Sequence, residues 1–356
     1  MTGKPHGNGS CYICDWPLDP LTSACPSCGY SQRNNPLSDK GNVTMTETWN
    51  DYSLKGCLFE TQPVNAPTVS AAHGSLPERV DLRDFCSPIE NQLNTNSCTA
   101  NAIVGALEYH QRRAKGPQID LSRLFVYYNA RRLSDTEGQD GGSFIHHVMA
   151  AMLAYGACEE RMWPFEKAMV LTRPTRAAYS NAMLHEAVQY ARTPLGGSAL
   201  QAVAAGLPVV FGGYFPSAYF DEAARTGVMP VDAARTQRPD GGHAMLIVGY
   251  DLPDKSWLVR NSWGEQYADR GYLRIPFDTM ASYSDPSHFW TIGAIEQTQG
   301  LSLAGPSMMS AQQAIQSQAK ADMTALLAHK RSDVRSDLSS RLSEAKADFR
   351  SRLRKD

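Results

Sequence analysis

The chain has 356 residues, 42% apolar and 20% charged, with a formal net charge of −2. That suffices for a full-sized core plus appended modules, and the small net charge argues against nucleic-acid or membrane binding by the molecule as a whole. No run approaches the roughly 20 consecutive apolar residues that span a bilayer, and the polar start "MTGKPHGNGS" does not read as a secretory leader. The expectation is a cytosolic protein, and one delivered into another cell's cytosol would read the same way.

Residues 1–35 contain "CYICDWPLDPLTSACPSCGY", two C-x2-C knuckles formed by Cys11, Cys14, Cys25 and Cys28. Four thiolates at that spacing suit a tetrahedral structural zinc, and so short a stretch could hardly fold without metal. The second knuckle, "CPSCGY", resembles those of zinc ribbons. Zn2+ is therefore the expected cofactor, read ahead of two disulfides or a pair of redox dithiols. Residues 36–75 are rich in Asn, Ser, Thr, Gly and Pro and read as a linker or draped segment, with Trp49, Tyr52, Leu54, Leu58 and Phe59 as candidate anchors.

Denser sequence starts near "LPERVDLRDF". In "NQLNTNSCTANAIVGALEY" an extended stretch turns into a helix with Asn96 and Ser97 as candidate caps and Cys98 in its first turn; Gly116 and Pro117 end it. Further helices are predicted over "LSRLFVYYNARRL" and "SFIHHVMAAMLAYG". Beyond residue 205, "GLPVVFGGYF", "HAMLIVGYD", "SWLVRNSWG" and "GYLRIPF" are β-branched and aromatic runs broken by Gly, Pro and Asp, the pattern of antiparallel strands. Helices first and strands second make an α+β layout.

Residues 299–356 read as a linker and a long amphipathic helix. Leu327, Leu338 and Phe349 recur at an interval of eleven, which favours a nearly straight or slightly right-handed seam. The helix could dock on its own domain, bind a protein partner or self-associate. Basic residues outnumber acidic ones after Lys330, as on many solvated helical faces.

By itself Cys98 could be a packed thiol, a metal ligand or a nucleophile. A nucleophilic thiolate needs a helix N-terminus, an adjacent imidazolium, or both. The helix supplies the first. For the second, "GGHAMLIVGYD" offers His243 behind two glycines, and "SWLVRNSWGEQY" offers Asn261 to orient the ring, with Trp263 to shield that bond from water.

These motifs, with "LPERVDLRD" at the start, "NQ" six residues before Cys98 and "GQDGGSF" between, resemble the papain-like cysteine peptidases over residues 76–298. "SCTANA" is similar to a divergent bacterial and viral subgroup. The resemblance implies a two-lobed fold, a helical lobe facing an antiparallel β lobe. It implies Cys98 as nucleophile, His243 as general acid and base, Asn261 as its orienting partner and Gln92 as oxyanion donor. Gly141, Gly142, Ser143, Phe144 and Trp263 would contact substrate, with specificity walls around Ser143, Phe144, Tyr214 and Ala244. The activity implied is endopeptidase cleavage through a Cys98–His243 ion pair and a thioester, without a catalytic cofactor. The alternatives are an isopeptidase or acyltransferase acting on a protein-bound modifier, and a non-catalytic adaptor.

Relatives from secretory compartments carry a disulfide between positions held here by Thr95 and Gln139, a paired loss suited to a reducing compartment. Cys57, Cys86 and Cys158 lack motifs and read as free thiols. His146 and His147 read as one packed and one exposed helical residue. Residues 31–75 look too short and polar to be an inhibitory pro-segment, so the ribbon or the tail is expected to restrain activity by holding a partner or covering the cleft.

Overall fold

The computed structural model describes residues 52–292 apart from 61–63, 65, 72–74, 116–117 and 185–189, together with the backbone of 301–304. The four-cysteine stretch and the amphipathic tail lie outside the described residues.

In chain order the elements are β1 (Cys57–Leu58), β2 (Thr68–Ala71), β3 (Arg79–Asp81), α1 (Cys98–Arg113), α2 (Arg123–Arg132), β4 (Ser143–Phe144), α3 (Ile145–Tyr155), α4 (Arg176–Ala182), β5 (Tyr190–Arg192), α5 (Gly197–Ala204), β6 (Val209–Phe215), α6 (Ser217–Thr226), β7 (Gly241–Asp251), β8 (Ser256–Arg260), β9 (Tyr272–Pro276), α7 (Phe277–Tyr283), β10 (Ser284–Ile292) and β11 (Leu301–Ala304). A nine-stranded sheet runs β11-β2-β5-β10-β6-β7-β8-β9, with β3 paired to β7. All pairings are antiparallel except β2 with β5. The sheet thus takes in residues 68–71 and 301–304, on either side of the 76–298 span.

Helix α1 is buried at every position from Cys98 to Tyr109. It packs on β7 and against α2 and α3, which explains its run of small residues, since Ala100, Ala102, Gly105 and Ala106 let neighbouring backbones approach. A side chain on Gly105 would press on the Arg260 guanidinium, 3.3 Å from the ideal Cβ. The last turn of α1 carries His110, Arg112 and Arg113, cations placed at the negative end of the helix dipole. Strand β7 has only its first residue partly exposed, so it reads as a continuous apolar run instead of an alternating one.

The helices and strands predicted between residues 98 and 276 form, with two local differences. Ser97 is the N-cap of α1, but its hydroxyl makes no capping bond; it is taken by Thr95 Oγ1, 2.8 Å away, and Asn101. Ser143 and Phe144, expected to open a helix, instead form β4, because Gly142 before them turns at φ +85° and delivers them extended.

Candidate active site

Cys98 is the first residue of α1. Its Sγ accepts the backbone N–H of Ala244, from β7, at 3.4 Å, and the N–H groups of Cys98 and Thr99 at the helix start also favour its anion. The start of the helix and the residue after His243 therefore meet at the sulfur. On β7, His243 Nε2 lies 2.8 Å from Asn261 Oδ1. That oxygen also accepts the Ser262 N–H at 2.9 Å, which fixes it as the carbonyl end of the amide. His243 must therefore donate from Nε2, and its Nδ1, buried without a hydrogen-bond partner, is the basic nitrogen. Trp263 and Phe220 stand 5.1 and 5.5 Å from the ring and exclude water from this bond.

Gln92 is buried in the loop that leads into α1. Its Nε2 donates to Thr95 O at 2.8 Å and its Oε1 accepts from Ser262 Oγ at 2.6 Å, which leaves one amide N–H uncommitted. The Gly141–Gly142 segment is tied to this loop without a disulfide: Asp140 accepts from Asn96 N at 3.1 Å and from Tyr127 OH at 2.6 Å, and the Asn96 side chain donates to its carbonyl. Tyr127 OH in turn accepts from Gly142 N at 3.0 Å. Hydrogen bonds thus do the work of a covalent bridge between Thr95 and Gln139. Ser143 turns inward to Thr99, hydroxyl to hydroxyl at 2.6 Å, and Phe144 packs on His146 and His147.

Part of the stretch read as a linker or draped segment lies over this site. Residues 52–60, "YSLKGCLFE", run between the two walls of the site. On one side β1 pairs in parallel with β4, and Ser143 N donates to Gly56 O at 3.0 Å. On the other, Lys55 bridges Gly242. Tyr52 stacks on Trp263 at 5.0 Å and places its hydroxyl 3.1 Å from Asn91 Oδ1; Ser53 bonds Asn96. A Cβ on Gly56 would lie 2.5 Å from Cys98 Sγ, and one on Gly142 only 2.6 Å from Lys55 O. Each contact admits only glycine. Gly141 stays open on its far side, and the expected walls Tyr214 and Ala244 are both engaged, Tyr214 by Phe59 at 4.1 Å.

This cover sets the electrostatics. Burial pushes the Cys98 thiol up to about 12 despite the three N–H groups that favour its anion, and burial pulls His243 down to about 4 although its bond to Asn261 opposes the shift. Near neutral pH the covered pair is thiol and imidazole. Both shifts favour the neutral pair over the ion pair expected from sequence while the site is covered, because an ion pair sealed from water must lose its hydration without enough compensating partners.

Two residues that sequence reasoning left without a role also belong here. Cys57 sits in β1, buried, and His146 contacts Glu60 at the end of the covering segment. Neither carries a motif; only tertiary pairing reveals them.

The profile described as "Papain family cysteine protease" matches residues 76–284. An uncharacterized peptidase C1-like protein of Acanthamoeba polyphaga mimivirus is 32% identical over 228 residues, covering 60% of this chain and 71% of that protein. Cathepsin K of Gallus gallus is 28% identical over 212 residues, 56% of this chain and 58% of that protein. Among solved structures, the cysteine protease xylellain from Xylella fastidiosa superposes with a TM-score of 0.62 at 25% identity, covering 69% of this chain and 97% of that one. Among the described residues no helix is long and apolar enough to cross a membrane. The chain belongs to the papain family of cysteine proteases and is a cysteine peptidase that acts on protein or peptide substrates.

Proposed function

We propose that the protein is a cysteine endopeptidase whose nucleophile is Cys98, and that residues 52–60 keep it latent. The bond from His243 Nε2 to Asn261, with Nδ1 left basic in a site shared with the helix-start thiol, carries this reading. Once the segment leaves, water and substrate reach the sulfur, the desolvation that raises its pKa falls, and the proton passes from Sγ to Nδ1. The thiolate attacks the peptide carbon, the Cys98 N–H and the remaining Gln92 N–H hold the oxyanion, and the imidazolium protonates the leaving amine. A water activated by His243 then hydrolyses the thioester and restores the thiol.

The segment escapes cleavage through the direction of one carbonyl. Gly56 is the backbone unit on the sulfur, yet its oxygen accepts from Ser143 N at 3.0 Å, so the carbonyl is committed to the cleft wall. Cys57, Cys86, Cys98 and Cys158 are all free, which supports a reducing, cytosolic setting. Peptidase assays on the full chain and on a Gly56→Val variant test the reading. Turnover by the variant that disappears with Cys98→Ala supports it, and turnover that survives Cys98→Ala refutes it.

A further inference from the structure

The covering segment ends on a charged clasp. Glu60 places one carboxylate oxygen on His146 Nδ1, from the first turn of α3, and the other on His288 Nε2, from β10. His288 is 1% exposed. Its Nδ1 lies 2.8 Å from Ser287 Oγ and 3.3 Å from Asp285 Oδ1. Asp285 Oδ1 is already accepting from Ser287 Oγ at 2.6 Å and Ser287 N at 2.9 Å, so oxygen acceptors face Nδ1 while a carboxylate faces Nε2. The Glu60 N–H also lies 3.4 Å from Nε2, but the carboxylates on both sides of the ring favour its imidazolium form.

The surroundings are shaped around residues 59 and 60. The Phe59 ring is stacked on Tyr214 at 4.1 Å and meets His288 edge-on at 4.7 Å. His147, 4.3 Å from His146, bonds Ser134 Oγ and is kept neutral by burial, which lowers it to about 4. The Cys57 thiol is raised, first by burial, and is neutral too. The groups left facing the Glu60 carboxylate are therefore the rings of His146 and His288. Apart from Glu60, the described residues give His146 Nδ1 no hydrogen-bond partner, and without the segment both rings would face the cleft. Glu60 is four residues beyond Gly56, up to about 13 Å along an extended chain.

We propose that His146 and His288 form a carboxylate-binding subsite of the cleft, filled in the covered state by the chain's own Glu60 and in the open enzyme by an acidic side chain of the substrate. The proposal rests on the endopeptidase reading above and names the substrate class that reading leaves open: peptides with a Glu or Asp about four residues from the bond cut. One subsite then serves both ends, since an acidic substrate competes with Glu60 for the same two rings.

The pH dependence has a definite sign. Burial raises the Glu60 carboxyl, but hydrogen bonds and charge from His146 and His288 outweigh it and hold the group well below the usual carboxylate range. Burial lowers His288, but Glu60 and then Asp285 outweigh it and raise the ring above its ordinary value. Carboxylate binding is therefore fully present only below the ordinary histidine pKa of roughly 6.5, and is lost as pH rises through the raised His288 value.

The test uses the full chain carrying Glu60→Gln, which removes the resident carboxylate, with Cys98→Ala added for binding measurements. A peptide set moves a single Glu along a neutral sequence, each member paired with its Gln match. At one position, about four residues from the thiol, the Glu peptide should bind at least ~10-fold more tightly at pH 6. That ratio should shrink severalfold at pH 8.5, and also on adding His146→Gln, a change at a partly exposed position that spares the core. The same ratio should recur in kcat/KM when Cys98 is restored. Ratios within about twofold at every position at pH 6, including no measurable binding of any peptide, overturn the subsite. Discrimination in binding without turnover when Cys98 is restored would instead refute the endopeptidase reading and leave the subsite standing.

Discussion

Gly56 rests on the sulfur of Cys98 so closely that a methyl group added to it would lie 2.5 Å from Sγ and 2.8 Å from Asn96 O. Carbon contacts are favourable near 3.5–4.0 Å, so Gly56→Val cannot keep residues 52–60 seated as they are. Overpacking of this kind costs about 1–3 kcal/mol, or about five- to hundredfold in the uncovered population. Peptidase activity should rise by that order. An unchanged rate would show that the segment does not limit access.

The polar frame of the site gives graded losses. Gln92→Ala should reduce kcat by about 10²–10³, as for other single oxyanion donors, with a smaller change in KM. Asn261→Ala frees the His243 ring, and should depress kcat and flatten the pH–rate profile, because Nδ1 is then no longer held as the basic nitrogen. Steady-state kinetics on an uncovered variant measures both. Equal losses in KM and kcat for Gln92→Ala would point to a folding role for the buried amide instead.

How much of this was legible beforehand follows from where the information lies. Cys98, His243 and Asn261 sit in contiguous motifs at a helix start, a strand start and a strand end, and local sequence specifies all three. In residues 52–60 the expected anchors Tyr52 and Phe59 pack on Trp263 and Tyr214, but the docking across the sulfur runs through backbone pairing at Lys55, Gly56 and Cys57, which leaves no side-chain period to read. Glu60, His146 and His288 come from three distant segments that only the tertiary fold unites. Asp140 replaces a missing disulfide with hydrogen bonds, and no composition signal announces that substitution.

Stability should fall between about pH 6.5 and 8. Burial pushes the carboxyls of Glu108 and Glu160 up to about 7, and a carboxyl raised on folding stabilises below its unfolded value and loses that contribution as pH climbs through the folded one. His110, His147 and His243, lowered to about 4 by burial, act in the opposite sense, but only below their ordinary value of roughly 6.5. Above that pH the acids dominate. Denaturant titrations at pH 6.5 and 8 check the slope, and Glu108→Gln should reduce it.

Arg123 is the cation among those acids, 5% exposed at its side chain, 2.5 Å from Glu90 and 3.4 Å from Glu160. Arg123→Ala strands buried carboxylates and should cost about 3–5 kcal/mol, read as a shift in urea midpoint. A change below about 1 kcal/mol would mean that the acids are already protonated.

The four cysteines at 11, 14, 25 and 28 predict one zinc per chain. Metal analysis of the purified protein, and release on chelation, checks the number. Absence of zinc would remove the ribbon from the account.

The most direct measurement is the rate at which a peptide-like epoxide alkylates each cysteine, followed by mass spectrometry, in the full chain and in Gly56→Val. The account predicts slow reaction at position 98 in the native chain, much faster reaction there in the variant, and loss of that gain with His243→Ala. Fast labelling of Cys98 in the native chain, or none in either protein, would contradict a nucleophile sheltered by the chain's own backbone.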